Sequence, residues 1–277
     1  MAAPIEEQFV EIDGIRVFCR RRRGEGVPTI WIHGNPTNSD DWLPFLVATS
    51  GPAIAVDLPG FGRSEHPDPG RFDCTVGSYG RFLARAFAEL APDGYELVVH
   101  DWGTVGLVGA QARPEAVRSL VVIDAVPLTS TYRWHWVARV WRRRGLGEAF
   151  SRARSRFLTA QLLRLARPGR RPMPPELVDM VLEHWDEGMS RAILALYRSA
   201  DPDVLEAAGE RLGEIRCPAL VLWGEDDPYI SPADGRSFAA ALPAARFELV
   251  ERAGHWPWID RPEVIDRVAR FLADARS

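Results

Sequence analysis

The stretch that decides the fold is ELVVHDWGTVG, which runs from Glu96 to Gly106. An apolar run typical of a buried strand ends in a sharp turn, and a helix rich in small residues begins at once. This strand-turn-helix context is typical of a nucleophile elbow, whose apex side chain projects from a tight turn. The apex position carries Asp101. A carboxylate nucleophile indicates attack on carbon that bears a leaving group, such as a halide or the oxygen of a strained ring.

Three further predicted strands are each followed by a loop with polar side chains. They are Thr29–Ile32 before HGNPT at 33–37, Ala219–Trp223 before GEDDP at 224–228, and Phe247–Val250 before AGHWPW at 253–258. The chain order is therefore a nucleophile, then an acid, then a histidine. That order is typical of α/β-hydrolases.

On these motifs the chain resembles the α/β-hydrolase superfamily over nearly its whole length. Within it, HGNPT at 33–37 and VVHDWG at 98–103 are similar to haloalkane dehalogenases, while the elbow alone also fits the related epoxide hydrolases. The resemblance implies an α/β-hydrolase fold with a mostly parallel central sheet, helices on both faces and an inserted helical cap. A fold of this kind does not by itself fix the reaction.

The remaining patterns agree with a doubly wound α/β sheet, because strand and helix signals alternate along the chain. The other predicted strands are Phe9–Ile12, Ile15–Cys19, Ala53–Val56, Leu97–Val99 and Leu120–Ile123, and the predicted helices are Val76–Leu90, Val105–Arg113, Pro232–Ala241 and Pro262–Ala275. Most of these strands are short continuous apolar runs, as expected of a parallel sheet that is covered on both faces.

The strand signal disappears between Leu120–Ile123 and Ala219–Trp223. From Pro127 to about Leu212 the pattern is helical, with breaks at Gly145, at 168–169 and at 172–175. This is the position of the cap that the resemblance implies. We therefore predict a core formed by residues 1–126 and 213–277 and a cap formed by residues 127–212.

Composition excludes several classes of function. The chain has 277 residues, 46% of them hydrophobic, and a net charge of −4, which implies no general attraction to nucleic acid. Its three cysteines are widely spaced, so we predict no disulfide framework and no metal site, and a cytoplasmic protein. No secretory signal or membrane-spanning run is visible. All 34 basic residues are Arg, which excludes a catalytic lysine.

The predicted cap is asymmetric in charge. Between Pro127 and Pro175 the sequence has 12 Arg and a single acidic residue, Glu148. A solvated helical face is the interpretation that we favour for such a run. The alternative is a surface that steers an anionic substrate or contacts an anionic surface.

The resemblance assigns a triad of Asp101, His255 and Asp227. Asp101 is the nucleophile, and His255 activates the water that hydrolyses the covalent ester on Asp101. Asp227 lies in the loop after the seventh strand, at the usual position of the acid that orients the histidine. The alternative acid is Asp124, which follows strand Leu120–Ile123, because one group of haloalkane dehalogenases carries its acid there.

Asn35 and Trp102 are the predicted halide-binding and oxyanion residues. In haloalkane dehalogenases that resemble this chain, side-chain N–H groups at these two positions stabilise the departing halide. Their backbone N–H groups would form the oxyanion hole. Asn35 favours a dehalogenase, because epoxide hydrolases commonly carry Phe there, whereas Trp102 is compatible with both families.

The predicted cap also contains two tyrosines, and these favour the alternative reaction. Epoxide hydrolases use two cap tyrosines to protonate the opening oxygen. Tyr197 lies in a segment similar to the later of the family's two tyrosine segments, whereas Tyr132 matches the earlier one poorly. A haloacid substrate is disfavoured, because the arginines that hold its carboxylate in fluoroacetate dehalogenases are replaced by Trp102 and Val105.

The sequence therefore predicts a hydrolase that forms an alkyl ester on Asp101, with haloalkane hydrolysis favoured. Epoxide hydrolysis with Tyr197 as proton donor is the alternative, and another substrate or a non-catalytic hydrolase-fold protein stays open. We expect a small apolar organic substrate and no cofactor, nucleic acid or membrane partner. The chain is expected to be a monomer or a homodimer.

Overall fold

One mixed sheet forms the centre of the molecule. The computed structural model describes residues 3–153 and 155–276. The described residues form eight strands in this sheet: β1 (Ile5–Ile12), β2 (Ile15–Arg22), β3 (Thr29–Ile32), β4 (Ala53–Val56), β5 (Tyr95–His100), β6 (Val117–Ile123), β7 (Ala219–Gly224) and β8 (Ala245–Val250). Their spatial order is β1-β2-β4-β3-β5-β6-β7-β8.

The sheet is parallel except at one edge. β1 and β2 form an antiparallel hairpin around Asp13 and Gly14, and β2 also runs antiparallel to β4. All pairs from β4 to β8 are parallel. The predicted mostly parallel α/β-hydrolase sheet is confirmed. Both hairpin strands extend beyond the predicted bounds, because β1 is an edge strand whose charged residues can face solvent.

Helices pack on both faces of the sheet and also form a separate group between β6 and β7. They are α1 (Leu43–Ala48), α2 (Val76–Leu90), α3 (Val105–Ala110), α4 (Trp136–Arg142), α5 (Leu146–Arg152), α6 (Arg156–Leu163), α7 (Pro175–His184), α8 (Glu187–Ser199), α9 (Pro202–Gly209), α10 (Pro232–Ala241), α11 (Pro257–Asp260) and α12 (Glu263–Ala275). α3 is shorter than the predicted Val105–Arg113. Arg113 precedes Pro114, and the proline ring disfavours helical backbone at the residue before it.

Alternate side chains of the central strands enter two separate cores. In β3, Ile30 and Ile32 pack in the core that includes α2 and α3. Trp31 lies between them in sequence and packs in the opposite core with α1 and α12. All four residues of β3 are buried. The continuous apolar run is therefore explained by burial on both faces of the sheet.

The described residues between β6 and β7 form a helical insertion that contains α4 to α9. Three of the sequence breaks coincide with helix boundaries or turns. Gly145 precedes α5 with φ of 79°, Gly169 lies in a short 3-10 turn with φ of 61°, and Pro175 begins α7. Residues up to His135 are not helical, so the first helix of the insertion begins at Trp136.

Candidate active site

Asp101 stands at the sharp turn that follows β5. Its φ is 49°, in the left-handed region that a residue with a side chain rarely adopts, as expected at a nucleophile elbow. The turn is tightly enclosed. A Cβ atom at Gly34 would lie 2.4 Å from the Asp101 Cβ, and one at Gly103 would lie 2.2 Å from the Ile32 carbonyl oxygen. Both positions therefore require glycine for the elbow to pack against β3.

The parallel strands bring the predicted site residues together. Asn35, Asp101, Asp124, Asp227 and His255 lie in the loops that follow β3, β5, β6, β7 and β8. The carboxyl ends of parallel strands share one edge of the sheet, and ligands of open α/β sheets bind outside that edge. All five residues are buried, so any polar atom among them that lacks a partner is costly.

Three of these side chains lie in series, joined by one hydrogen bond and one ion pair. His255 Nδ1 lies 2.8 Å from Asp227 Oδ2, and His255 Nε2 lies 3.6 Å from Asp101 Oδ1. Asp227 is itself fixed by two backbone N–H groups, which both donate to its Oδ1. The donors are Tyr229 at 2.7 Å and Ile230 at 3.2 Å. The histidine thus lies between two carboxyl groups, with Asp227 on its orienting side.

Charge stabilises this arrangement. Burial alone would raise the pKa of Asp101, but the His255 hydrogen bond and charge and the backbone N–H of Asn35 hold it below its ordinary value. Burial alone would likewise lower the pKa of His255, yet the Asp227 and Asp101 carboxylates raise it well above its ordinary value. Asp101 is therefore ionised at neutral pH, and His255 is protonated while Asp101 carries its charge.

Asp124 has a different environment from Asp227. Its Oδ1 accepts a hydrogen bond of 2.9 Å from the backbone N–H of Gly224. Burial and the neighbouring Asp227 carboxylate raise the pKa of Asp124 well above its ordinary value. Of the two acids that the sequence left open, Asp227 is the one bonded to His255 Nδ1.

Asn35 contributes two donors to the site. Its backbone N–H donates to Asp101 Oδ2 at 2.7 Å, as expected of an oxyanion-hole group. Its side-chain Nδ2 donates to the Tyr197 hydroxyl oxygen at 3.3 Å. One residue of the loop after β3 therefore contacts both the proposed nucleophile and the helical insertion.

Trp102 places an indole N–H beside the same tyrosine. Its ring packs edge-on against Tyr197, with centroids 5.0 Å apart, and stacks on Trp134. The N–H is buried and has no well-aligned acceptor among the residues that the structure describes. It still lies close enough to the Tyr197 hydroxyl to lower the pKa of that group, although burial and Asp101 raise this pKa well above its ordinary value. Tyr197 is therefore neutral and retains its proton.

The two candidate proton donors occupy different places. Tyr197 is buried on α8 and lines the cavity above Asp101. Tyr132 lies before α4, and its hydroxyl donates to the backbone carbonyl of Tyr229 at 3.2 Å. Tyr132 is absent from the described cavity lining. The structure thus places Tyr197 in the same cavity wall as Asp101, whereas the Tyr132 hydroxyl is engaged elsewhere.

A cavity of about 80 Å³ opens above these groups. Its walls are largely apolar and aromatic. The insertion contributes Val137, Trp141, Phe150, Leu162, Leu163 and Trp185. A small number of polar groups in an otherwise apolar pocket is typical of sites for small organic molecules.

Two polar residues of the cavity were not predicted from the sequence. His135 and Tyr229 both line it, and their rings lie 4.7 Å apart. His135 Nδ1 accepts the backbone N–H of Ala138 at the start of α4, so the ring proton is on Nε2. Burial lowers the pKa of His135 to about 4, which leaves it neutral. The only signal for His135 in the sequence was its position just before α4, because no other residue stands at a metal-ligand spacing from it.

The arginines of the insertion lie mostly on its outer side. Several form ion pairs: Arg142 with Asp201, Arg156 with Asp179, and Arg167 and Arg171 with Asp260. Arg133, Arg139, Arg143, Arg144, Arg152 and Arg170 are exposed. Arg154 lies outside the described residues. This distribution fits the solvated face that we favoured from the sequence.

Across residues 3–153 and 155–276, no group of three or more His, Cys, Asp and Glu side chains is arranged to hold a metal ion. Over the same ranges, no helix combines the length and the apolar character needed to cross a bilayer.

Known proteins resemble this chain in sequence. A family model described as the alpha/beta hydrolase family matches residues 30–268. A haloalkane dehalogenase of Bradyrhizobium diazoefficiens is 28% identical, with 99% of this chain and 96% of that protein covered. An acetyltransferase component of the acetoin cleaving system of Cupriavidus necator is also 28% identical over 92% of this chain, which spans only 65% of that longer protein.

The architecture also matches that of solved dehalogenases. The haloalkane dehalogenase DatA from Agrobacterium tumefaciens superposes with a TM-score of 0.83 at 25% identity, covering 98% of this chain and 97% of that one. The dehalogenase and the acetyltransferase component are both 28% identical to this chain, although their activities differ. Sequence identity therefore does not decide the substrate, which has to be argued from the site. The chain belongs to the alpha/beta hydrolase family and is a hydrolase-fold enzyme that resembles haloalkane dehalogenases.

Proposed function

We propose that this enzyme hydrolyses haloalkanes to alcohol and halide through a covalent ester on Asp101. The observation that carries the proposal is the buried indole N–H of Trp102, which has no well-aligned acceptor among the described residues and, like the Asn35 amide, lies beside the Tyr197 hydroxyl. Buried donors that lack a partner are costly unless a ligand satisfies them. Two N–H donors next to the nucleophile suit an anion that forms during the reaction.

In the first step, Asp101 Oδ1 attacks the carbon that bears the halogen. The backbone N–H of Asn35 already binds Oδ2, so Oδ1 is the free oxygen. A carbon–oxygen bond forms, the carbon–halogen bond breaks, and the halide leaves with the bonding electrons towards the Asn35 and Trp102 N–H groups. Stabilisation of charge that develops only at this stage lowers the barrier.

In the second step, His255 Nε2 takes a proton from water, whose oxygen attacks the Asp101 carbonyl carbon. The Asn35 backbone N–H stabilises the oxyanion on Oδ2. Collapse breaks the bond between the acyl carbon and the alkyl oxygen, and the alcohol leaves with the proton from His255. Asp101 is restored.

The protonation state of His255 follows the state of Asp101. The Asp101 charge is one of the causes that raise the His255 pKa. Esterification removes that charge, so the pKa falls and His255 can lose its proton and act as a base. Water activation then follows alkylation rather than competing with it.

The helical insertion, residues 127–212, serves in this proposal as the cap that we expected from the sequence. Its apolar side chains line the cavity opposite Asp101 and favour a small apolar substrate. The exclusion of water from such a wall strengthens the interactions of Asp101 and of the leaving group.

Epoxide hydrolysis is the second candidate, and Tyr197 favours it. Its neutral hydroxyl lies in the cavity near Asp101 and accepts a hydrogen bond from Asn35. Attack by Asp101 would break a ring carbon–oxygen bond, and Tyr197 would give its proton to that oxygen. The Asn35 and Trp102 N–H groups would then stabilise the tyrosinate rather than a halide.

The variant His255→Phe distinguishes the two reactions. It should form the ester without hydrolysing it, and the intact mass after incubation with a panel of bromoalkanes and epoxides reports the adduct. An alkyl group mapped to Asp101, with bromide released, supports the dehalogenase. A hydroxyalkyl group at Asp101 supports the epoxide hydrolase instead.

The matched control carries Asp101→Asn together with His255→Phe. Asn tolerates positive φ better than most residues, so the elbow should keep its shape. The double variant should remain unmodified. An adduct of equal yield on the double variant, or none on His255→Phe, would contradict an Asp101 ester.

A further inference from the structure

The mechanism above does not use Asp124, although this residue lies inside the site. Asp124 follows β6, is fully buried, and has φ of 38°. Its Oδ1 accepts the Gly224 N–H, but its Oδ2 has no donor among the residues that the structure describes. An ionised carboxylate with an orphaned oxygen in a buried site is strongly disfavoured.

Asp227 has the complementary arrangement. Its carboxylate has about four acceptor positions, and three are occupied by the Tyr229 N–H, the Ile230 N–H and His255 Nδ1. Asp227 neighbours Asp124 in the site, and its carboxylate is one of the groups that raise the pKa of Asp124. One proton between the two residues would satisfy the orphaned Asp124 oxygen and fill the last acceptor position of Asp227.

We infer that Asp124 is a neutral carboxylic acid whose hydroxyl donates a hydrogen bond to Asp227, and that it acts as a positioning residue for Asp227. The pair then carries one negative charge, which faces the imidazolium of His255. This inference rests on the proposed function in one respect, namely that Asp227 orients His255 during ester hydrolysis. The proton on Asp124 does not depend on which substrate the enzyme takes.

The charged groups around Asp124 agree with this state. Burial and the Asp227 carboxylate raise the pKa of Asp124, and His255 and the Gly224 N–H oppose them only in part. A third buried anion beside Asp101 and Asp227 would leave one imidazolium to balance three carboxylates. Two like charges in one buried site do not both ionise readily.

Isotope-edited infrared spectroscopy tests the proton directly. Protein with ¹³C-labelled aspartate carboxyls should show a protonated-carboxyl band at a pH above about 7, and Asp124→Asn should remove it. Asp41 is the matched control, because burial raises its pKa to about 7 and it ionises at such a pH. Asp41→Asn should leave the band unchanged, whereas Asp227→Asn should shift it by changing the acceptor.

Ester hydrolysis tests the positioning role. Asn keeps the acceptor for Gly224 N–H and supplies a donor to Asp227, and it tolerates the positive φ. The Asp124→Asn variant should therefore hydrolyse the Asp101 ester at a rate within about threefold of that of the parent enzyme. The Asp124→Gly variant should hydrolyse it about tenfold more slowly, which is the effect of one lost hydrogen bond.

Two results would overturn the inference. One is a spectrum in which Asp124→Asn removes no band. The other is a fall in the rate of ester hydrolysis in Asp124→Asn as large as that in Asp227→Asn, which would make Asp124 the ionised acid. If no ester forms at all, the proposed function fails, but the infrared result still decides the protonation of Asp124.

Discussion

The two sides of the cavity are built from different chemistry. The sheet side supplies the charged groups Asp101, Asp227 and His255, each in a loop after a parallel strand and each fixed by hydrogen bonds. The insertion side supplies neutral groups, with Trp141, Phe150 and the protonated Tyr197 among them. In the proposed mechanism, the sheet side carries out bond making and breaking, and the insertion side shapes the substrate and its leaving group.

This difference indicates where the reaction and the specificity are determined. The sheet side contains groups whose ionisation states depend on one another, so each change there should affect the covalent steps. The insertion side offers donors without charge, so changes there should distinguish between substrates. The predictions below use this contrast.

The largest effect is expected for Asp101→Asn, which removes the nucleophile while keeping the elbow geometry. Steady-state turnover of any accepted substrate should fall by a factor on the order of 10⁶, as when the nucleophile of a catalytic triad is removed. Halide release or diol formation measures the loss. Turnover within tenfold of the parent would show that the charged sheet side does not perform the reaction.

Asp227→Asn should have the next largest effect, because His255 loses its ionised partner. Ester hydrolysis should slow by a factor on the order of 10⁴, in line with removal of a triad acid. Ester formation should change much less, so the adduct on Asp101 should accumulate. Rapid quenching followed by intact-mass measurement separates the two rates, and equal slowing of both would argue against the assigned role.

Tyr197→Phe should act on the choice of substrate. If Tyr197 gives its proton to an opening epoxide, ester formation from epoxides should fall by about 10²-fold, typical of a lost general acid. Ester formation from bromoalkanes needs no proton and should change by less than about tenfold. Tyr132→Phe is the control, because its hydroxyl bonds a backbone carbonyl, and it should preserve both rates.

The smallest effect concerns Asp41, a buried carboxyl near the sheet side. Burial raises its pKa to about 7, and Thr37 opposes this rise with a hydrogen bond. The folded protein therefore holds this proton more tightly than the unfolded chain. The contribution of Asp41 to the free energy of unfolding is therefore fully present below about pH 4, and it is lost as the pH rises to about 7.

Asp41→Asn should flatten that part of the stability profile, measured by urea unfolding at a series of pH values. The neighbouring Asp40 contributes to stability with the opposite dependence on pH. Burial would raise its pKa, but Arg63 and Arg20 hold it below its ordinary value, so Asp40→Asn should lose stability above about pH 4. Identical profiles for both variants would exclude the assigned protonation of Asp41.

The fold and the sheet side of the site were largely predictable from sequence. β3, β4 and α2 have the predicted bounds, because continuous apolar runs and helical periodicity are local signals. Asp101, Asp227 and His255 follow predicted strands, and parallel topology brings such positions to one edge. The preference for Asp227 over Asp124 rested on motif position alone, since the sequence does not give which carboxyl reaches His255.

The insertion side was predictable only in outline. Its helical character and breaks follow from composition, but its contacts depend on how α4 to α8 pack against one another. Trp141 lines the cavity, whereas Trp136, five residues earlier, is 47% exposed. His135 lies in no recognisable motif. Its place in the cavity wall depends on its position as the N-terminal capping residue of helix α4.

The close contact between Gly34 and Asp101 has a consequence for how this enzyme could be altered by selection. One added methyl group at Gly34 would occupy the space of the Asp101 Cβ, so no alanine variant can keep the elbow in place. Random libraries screened for turnover should return glycine there in every active clone. Variation that survives should concentrate on the aromatic wall of the insertion, and new substrates would be reached through α4, α5 and α8.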